Sequence, residues 1–124
     1  RRDIVRQYNE ALAELPAVIT PVERPDVRNS WHIYPIRLDL RRIGVGRKEI
    51  FQALRAENIG VQVHYIPVHL HPYYKQKFGY KGGEFPIAET AYESLVTLPL
   101  YPSMTDAQQD CVVELIADFY KDKR

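Results

Sequence analysis

An α+β domain, built on a short and mainly antiparallel sheet of three or four strands covered by helices, is the fold these 124 residues predict. Two observations lead there. Apolar residues recur at three-and-four spacing at both ends of the chain, which marks amphipathic helices, and short β-branched runs bounded by proline and glycine lie between them. The segments alternate as helix, strand, helix, strand, helix, strand, helix, with strands too short for a large parallel sheet. A chain of this length makes one domain, residues 1–124, and buries roughly two thirds of the surface its unfolded form exposes, enough for a single hydrophobic core.

Each element has its own signal. Ile4, Val5, Tyr8, Ala11, Leu12 and Leu15 fall on one stripe of a first helix, which Pro16 ends. Val18 to Thr20 is a short β-branched run, and Pro21, Pro25, Asp26 and Asn29 make the following stretch a loop. Trp31 to Leu40 alternates as a strand, with Tyr34, Ile36 and Leu38 on one face and Trp31 and Ile33 on the other. Its aromatics Trp31, His32 and Tyr34 read as core. Pro35 has no N–H for a ladder, so the strand is expected at a sheet edge or with a bulge there.

Gly44 and Gly46 mark a turn, and Ile50, Phe51 and Leu54 line one side of a helix that runs to about Asn58. Asn58 and Gly60 suit a left-handed helix exit. Val61 to Tyr65 reads as a second strand, with Val61, Val63 and Tyr65 on one face and Gln62 and His64 on the other. Residues 66–84 form a long connection expected to hold one helical turn near Tyr73 to Lys77. Pro86 suits the first position of a helix carrying Ile87, Ala88, Ala91 and Leu95. Leu98 to Tyr101 reads as extended. Thr105 and Gln108 then form a capping box, followed by the stripe Cys111, Val112, Leu115, Ile116 and Phe119.

Composition narrows the function classes. Seventeen Lys and Arg against sixteen Asp and Glu leave a net charge of +1, and the basic residues are scattered, so nucleic acid is not an expected partner. Tyr73, Tyr74 and Tyr80 do alternate with Lys75, Lys77 and Lys81, a pattern read as a solvated loop. No apolar run approaches the roughly 18 residues of a membrane span. Cys111 is the single cysteine, so an internal disulfide is excluded, a cytoplasmic location is expected, and the thiol is expected to pack in the last helix. The first residue is Arg1, already in a helical pattern, which raises the expectation of a longer parent polypeptide.

Five ordered segments carry a family resemblance. They are Ser30-Trp31-His32-Ile33-Tyr34; Arg47 heading a helix that closes on Glu57-Asn58-Ile59-Gly60; His64-Tyr65-Ile66-Pro67-Val68-His69-Leu70-His71-Pro72-Tyr73-Tyr74; Phe85-Pro86-Ile87-Ala88-Glu89; and Leu98-Pro99-Leu100-Tyr101-Pro102-Ser103-Met104-Thr105. Together they resemble the C-terminal small domain of the DegT/DnrJ/StrS family of pyridoxal-phosphate-dependent nucleotide-sugar aminotransferases. The resemblance implies a fold-type-I, homodimeric parent whose large domain holds the cofactor and the Schiff-base lysine. It also implies amino transfer from an amino acid, usually glutamate, to a nucleotide-linked keto-sugar in cell-surface polysaccharide or glycan biosynthesis. None of Lys48, Lys75, Lys77, Lys81, Lys121 and Lys123 matches the family's Schiff-base position, so this chain alone is expected to bind no cofactor and to be inactive. A free-standing regulatory or binding module is the alternative.

A pocket for such a substrate needs hydrogen-bond donors at the ends of rigid elements and aromatic faces for a ring to pack on. By resemblance His64, Tyr65 and His69 are the substrate-binding candidates, and Arg47 is a further candidate for a phosphate or the partner domain. A second reading stands beside this one, with Tyr65 in the core and His64 bonded to a backbone carbonyl. Gly44-Val45-Gly46-Arg47 lacks the third glycine of a dinucleotide fingerprint and reads as an ordinary helix start. His64, His69 and His71 match no common zinc spacing, and no metal is expected.

Overall fold

The computed structural model describes residues 1–121. Helix α1 (Arg2–Leu12) buries Ile4, Val5, Tyr8 and Leu12. It stops short of the predicted Leu15, at the Ala13 cap, though Leu15 is still buried and Ala11 of the predicted stripe is exposed. β1 (Val18–Ile19) and β2 (Tyr34–Leu38) follow, then the short α2 (Leu40–Ile43) capped by the Asp39 side chain, and α3 (Arg47–Ala56). A 3-10 turn (Val68–Leu70) leads into α4 (Pro72–Phe78). After it come α5 (Pro86–Ser94), with its proline in the first turn as predicted, β3 (Leu95–Leu98) and α6 (Asp106–Lys121).

The sheet is three-stranded and antiparallel, in the order β1-β2-β3. Tyr34, Ile36 and Leu38 face the core together, as the alternation predicts. The strand begins three residues later than Trp31, however, because the Asn29 carboxamide accepts the Trp31 N–H and Trp31 sits at φ 49. That turn swings the indole into the core as a corner residue, 4% exposed.

β2 is the central strand, which corrects the edge position expected from Pro35. The physical reason behind that expectation still operates. Thr97, the partner of Pro35, exchanges both backbone bonds with Gln62 on the far side of β3, so the Thr97 and Pro35 backbones point away from each other. Pro35 therefore directs its nitrogen toward β1, and β1 reaches only Leu38 and Arg37. The missing N–H costs no bond because this side of the central strand is locally an edge.

The predicted strand Val61–Tyr65 is reduced to one bridge, Gln62 opposite Thr97. On that edge of β3 the next residue whose backbone points outward is Pro99, which has no N–H to offer, and Leu95 on the other side has only just left α5. The ladder is trimmed to a single rung. β3 itself lies at Leu95–Leu98, earlier than the predicted extended piece at Leu98 to Tyr101.

α6 opens on the predicted capping box: the Gln108 amide N–H donates to Thr105 Oγ1 at 3.2 Å and the Thr105 N–H to Gln108 Oε1 at 2.9 Å. Val112, Ile116 and Ala117 face inward, but Cys111 is exposed and does not pack as expected. Gln109, one turn before Val112 and on the same face, is buried and donates from Nε2 to the Ile4 carbonyl at 2.7 Å, tying α6 to α1. At the centre Tyr8 stacks on Tyr34 with ring centroids 4.9 Å apart, and both hydroxyls are used, on the Pro99 carbonyl at 2.9 Å and on Asn9 Oδ1 at 2.6 Å. Burial pushes both phenols above their ordinary range, so they remain neutral donors.

Candidate functional site

The residues singled out by sequence are distributed over two clefts and a surface. One cleft, of about 640 Å³, lies between α6, the segment 58–64 and the chain leaving β3. Leu98, Pro99 and Leu100 line it beside Ala107, Cys111 and Val112 of α6, and Gln62, His64, Asn58 and Gln108 bring polar groups to it. This is the mixture of apolar wall and sparse polar contacts that small-molecule sites use. His64 belongs here, half-buried, its Nδ1 3.0 Å from Thr97 Oγ1. The partner is a side-chain hydroxyl of the bridge residue rather than a backbone carbonyl.

Tyr65, next in sequence, is 70% exposed, which rules out the core reading. Its ring meets the His64 ring edge-on at 4.6 Å between centroids, so the pair stands together at the point where the chain leaves the sheet.

His69 lies elsewhere. It is buried on the 3-10 turn and borders a second cleft of about 470 Å³ lined by Pro67, Val68, Tyr74, Phe78, Tyr80, Phe85 and Ala88. Its Nε2 is 2.6 Å from Glu89 Oε1. A carboxylate only accepts, so Nε2 carries the proton. The same carboxylate takes the Gly83 N–H at 2.9 Å and the Phe85 N–H at 3.4 Å. Next to it Glu84 accepts the amides of Lys81 and Gly82 at 2.6 and 2.8 Å. His69, with the Gly83 and Phe85 amides, holds the Glu89 carboxyl below the usual carboxylate range, and the Lys81 and Gly82 amides do the same for Glu84. Gly82 and Gly83, at φ 98 and 92, give the chain the left-handed turns that aim these amides inward.

Arg47 borders neither cleft. Its guanidinium lies 4.6 Å from the Tyr92 ring centroid and donates to the Tyr92 carbonyl, tying the start of α3 to α5. Gly44 is the left-handed cap of α2 and Gly46 the extended residue before α3, as an ordinary helix-to-helix turn requires.

The three histidines have separate partners: Thr97 for His64, Glu89 for His69 and the Ile66 carbonyl for His71. Among the described residues the group whose donor atoms come within 4.8 Å of one another is His69, Glu84 and Glu89. Backbone amides already occupy both of its carboxylates. Sequence reasoning missed Thr97, Glu84 and Glu89. A signal for Glu89 was there to read, a carboxylate one position beyond that of a capping box, after two glycines and a proline at the helix start.

Lys48, Lys75, Lys77 and Lys81 are exposed and border neither cleft, Lys121 lies on the exposed end of α6, and Lys123 falls outside the described residues. No helix is long and apolar enough to cross a membrane among the described residues.

The family model described as the DegT/DnrJ/EryC1/StrS aminotransferase family matches residues 1–117. The spore coat polysaccharide biosynthesis protein SpsC of Bacillus subtilis is 45% identical over 98% of this chain and 31% of its own length. An uncharacterized protein of Methanocaldococcus jannaschii is 40% identical over the whole chain and 32% of its own. Among solved structures, DesV of S. venezuelae in complex with a ketimine intermediate superposes with a TM-score of 0.84 at 28% identity, over 97% of this chain and 31% of that one. The "putative sugar aminotransferase Spr1654" of Streptococcus pneumoniae, in its PMP-form, gives 0.85 at 27%, over 99% of this chain and 30% of that one. The chain thus spans about a third of the length of the relatives it matches.

Proposed function

The chain belongs to the DegT/DnrJ/EryC1/StrS aminotransferase family, and on that premise we propose that it is the C-terminal small domain of a nucleotide-sugar aminotransferase, forming one wall of the substrate cleft. The observation that carries this reading is the joint placement of His64 and Tyr65 where the chain leaves the sheet: His64 is held from behind by Thr97 and Tyr65 presents an open aromatic face. A ring with hydroxyl groups packs on such a face and bonds to such an imidazole. His69, being buried and occupied by Glu89, supports the wall from within, and Arg47 holds α3 to α5. These two are assigned a supporting place rather than direct contact.

In this reading the parent is a homodimer that moves an amino group, from glutamate as the donor, to a keto-sugar on a nucleotide. The product serves cell-surface polysaccharide synthesis, a reading supported by the Bacillus subtilis relative, which is named for spore coat polysaccharide biosynthesis. Pyridoxal phosphate supplies the amino-carrying chemistry when bound, and its lysine is assigned to polypeptide outside these residues. The chain by itself is then inactive and cytoplasmic. The test is made in the full-length protein: His64→Ala and Tyr65→Ala should each raise KM for the nucleotide sugar about tenfold, the loss expected for one or two polar contacts. Unchanged kinetics in both variants refute the assignment, as does half-transamination of added cofactor by residues 1–124 alone.

A further inference from the structure

One carboxylate gathers three groups from two separate stretches of chain. Glu89, near the start of α5, receives Nε2–H of His69 from the 3-10 turn and the amides of Gly83 and Phe85 from the loop that precedes α5. Its side chain is 19% exposed and that of His69 8%, so the contact is largely shielded from water. His69 in turn packs on Phe85 at 4.7 Å and on Tyr80 at 5.9 Å between centroids, which closes the aromatic cleft on one side. Only Ile66 to Val68 separate His69 from Tyr65, and Pro67 stiffens that interval. Tyr65 and Val68 are exposed, and the ring contact of Tyr65 is with the neighbouring His64, so burial in the core does not hold them in place. The segment is pinned at its near end by His64 on Thr97, in its middle by His71 on the Ile66 carbonyl, and at its far end by His69, whose imidazole Glu89 holds.

We propose that Glu89 is a positioning residue for the substrate wall: through His69 it holds residues 65–68 in the shape that presents the Tyr65 ring, while its bonds to Gly83 and Phe85 keep the 79–85 loop closed against the same imidazole. The proposal rests on the reading of Tyr65 given above. Chemistry favours a carboxylate at this place. A carboxylate has no proton of its own, so Oε1 accepts the imidazole N–H and both amides, with Oε2 sharing the Gly83 N–H, and an ionised oxygen bonds each more strongly than a neutral one.

Hydrogen–deuterium exchange and steady-state kinetics of Glu89→Ala and Glu89→Gln in the full-length protein test it. In Glu89→Ala, exchange should rise about tenfold or more in peptides covering 64–70 and 79–89, the factor expected for one lost charge-assisted bond, with β2 and α6 unchanged. KM for the nucleotide sugar should rise about tenfold with kcat within about twofold. Glu89→Gln keeps an acceptor oxygen and should return both readouts at least halfway, on a logarithmic scale, to wild type. Exchange confined to 79–89, with 64–70 unmoved, overturns the proposal, and so does a loosened 64–70 segment with KM unchanged. If the wild-type protein transfers no amino group to any nucleotide sugar, the functional reading fails separately. The exchange of 64–70 then decides by itself whether Glu89 positions the Tyr65 segment.

Discussion

Replacing Thr97 by valine asks whether the bridge residue really orients His64. The two side chains are nearly isosteric, Thr97 is 5% exposed, and its backbone bonds to Gln62 at 3.1 and 2.7 Å do not involve the hydroxyl. What is lost is the 3.0 Å contact between Oγ1 and His64 Nδ1. A neutral hydrogen bond contributes about 0.5–1.5 kcal/mol net. His64 is half-buried and can recruit water, so the loss belongs near the middle of that range, about 1 kcal/mol. For a chain of this size that corresponds to a fall in Tm of roughly 3–5 °C. The decisive measurement is a double-mutant cycle, by urea unfolding, over Thr97→Val, His64→Ala and the pair. A real contact gives a coupling of about 0.5–1 kcal/mol, because each single change already removes it. Additivity within about 0.3 kcal/mol would show that the two side chains are neighbours without being partners, and the account of how His64 is aimed into its cleft would fall.

Two further outcomes follow from the same geometry. Thr105→Ala removes the hydroxyl half of the capping box and should cost about 1 kcal/mol, seen as a lower urea midpoint with unchanged slope; an unaltered midpoint would mean the box contributes nothing. The Glu89 carboxyl is held low in the folded chain, so its stabilising contribution is complete above the ordinary carboxylate range and is lost as pH falls through the lowered folded value. Proteolysis within residues 79–85 should therefore accelerate only in that acid range. Glu84, which accepts the Lys81 and Gly82 amides of the same loop and is also held low, acts in the same direction, so Glu89→Gln should reduce the acid response without abolishing it, and a profile identical to wild type would refute the clamp.

Much of the fold was legible because it is written in local patterns. The stripe of α1, the alternation of Tyr34, Ile36 and Leu38, the proline opening α5 and the Thr105–Gln108 box each depend on residues within a turn or two of one another. What was not legible depends on distant partners. Val61 to Tyr65 has a sound strand pattern, yet the edge offered to it by β3 is interrupted at Pro99. Trp31 fits the alternation, but the Asn29 side chain bends the chain there. The composition of the His64–Tyr74 segment drew attention to a stretch that borders both clefts. It did not separate His64, which lines one cleft, from His69, which is turned inward by a carboxylate twenty residues away.

The bond from Gln109 to the Ile4 carbonyl has a consequence for synthesis. The first helix finds Tyr34 soon after it emerges, but its contact with Gln109 waits for about a hundred further residues, so α1 is only partly seated until α6 has been made. The two ends of the sheet-and-helix unit must close on each other as a late event, and folding of the whole is governed by that long-range closure. Truncation just before Asp106 should leave a chain that exposes Ile4, Val5 and Leu12 together and aggregates, whatever the local helical propensity of its first dozen residues.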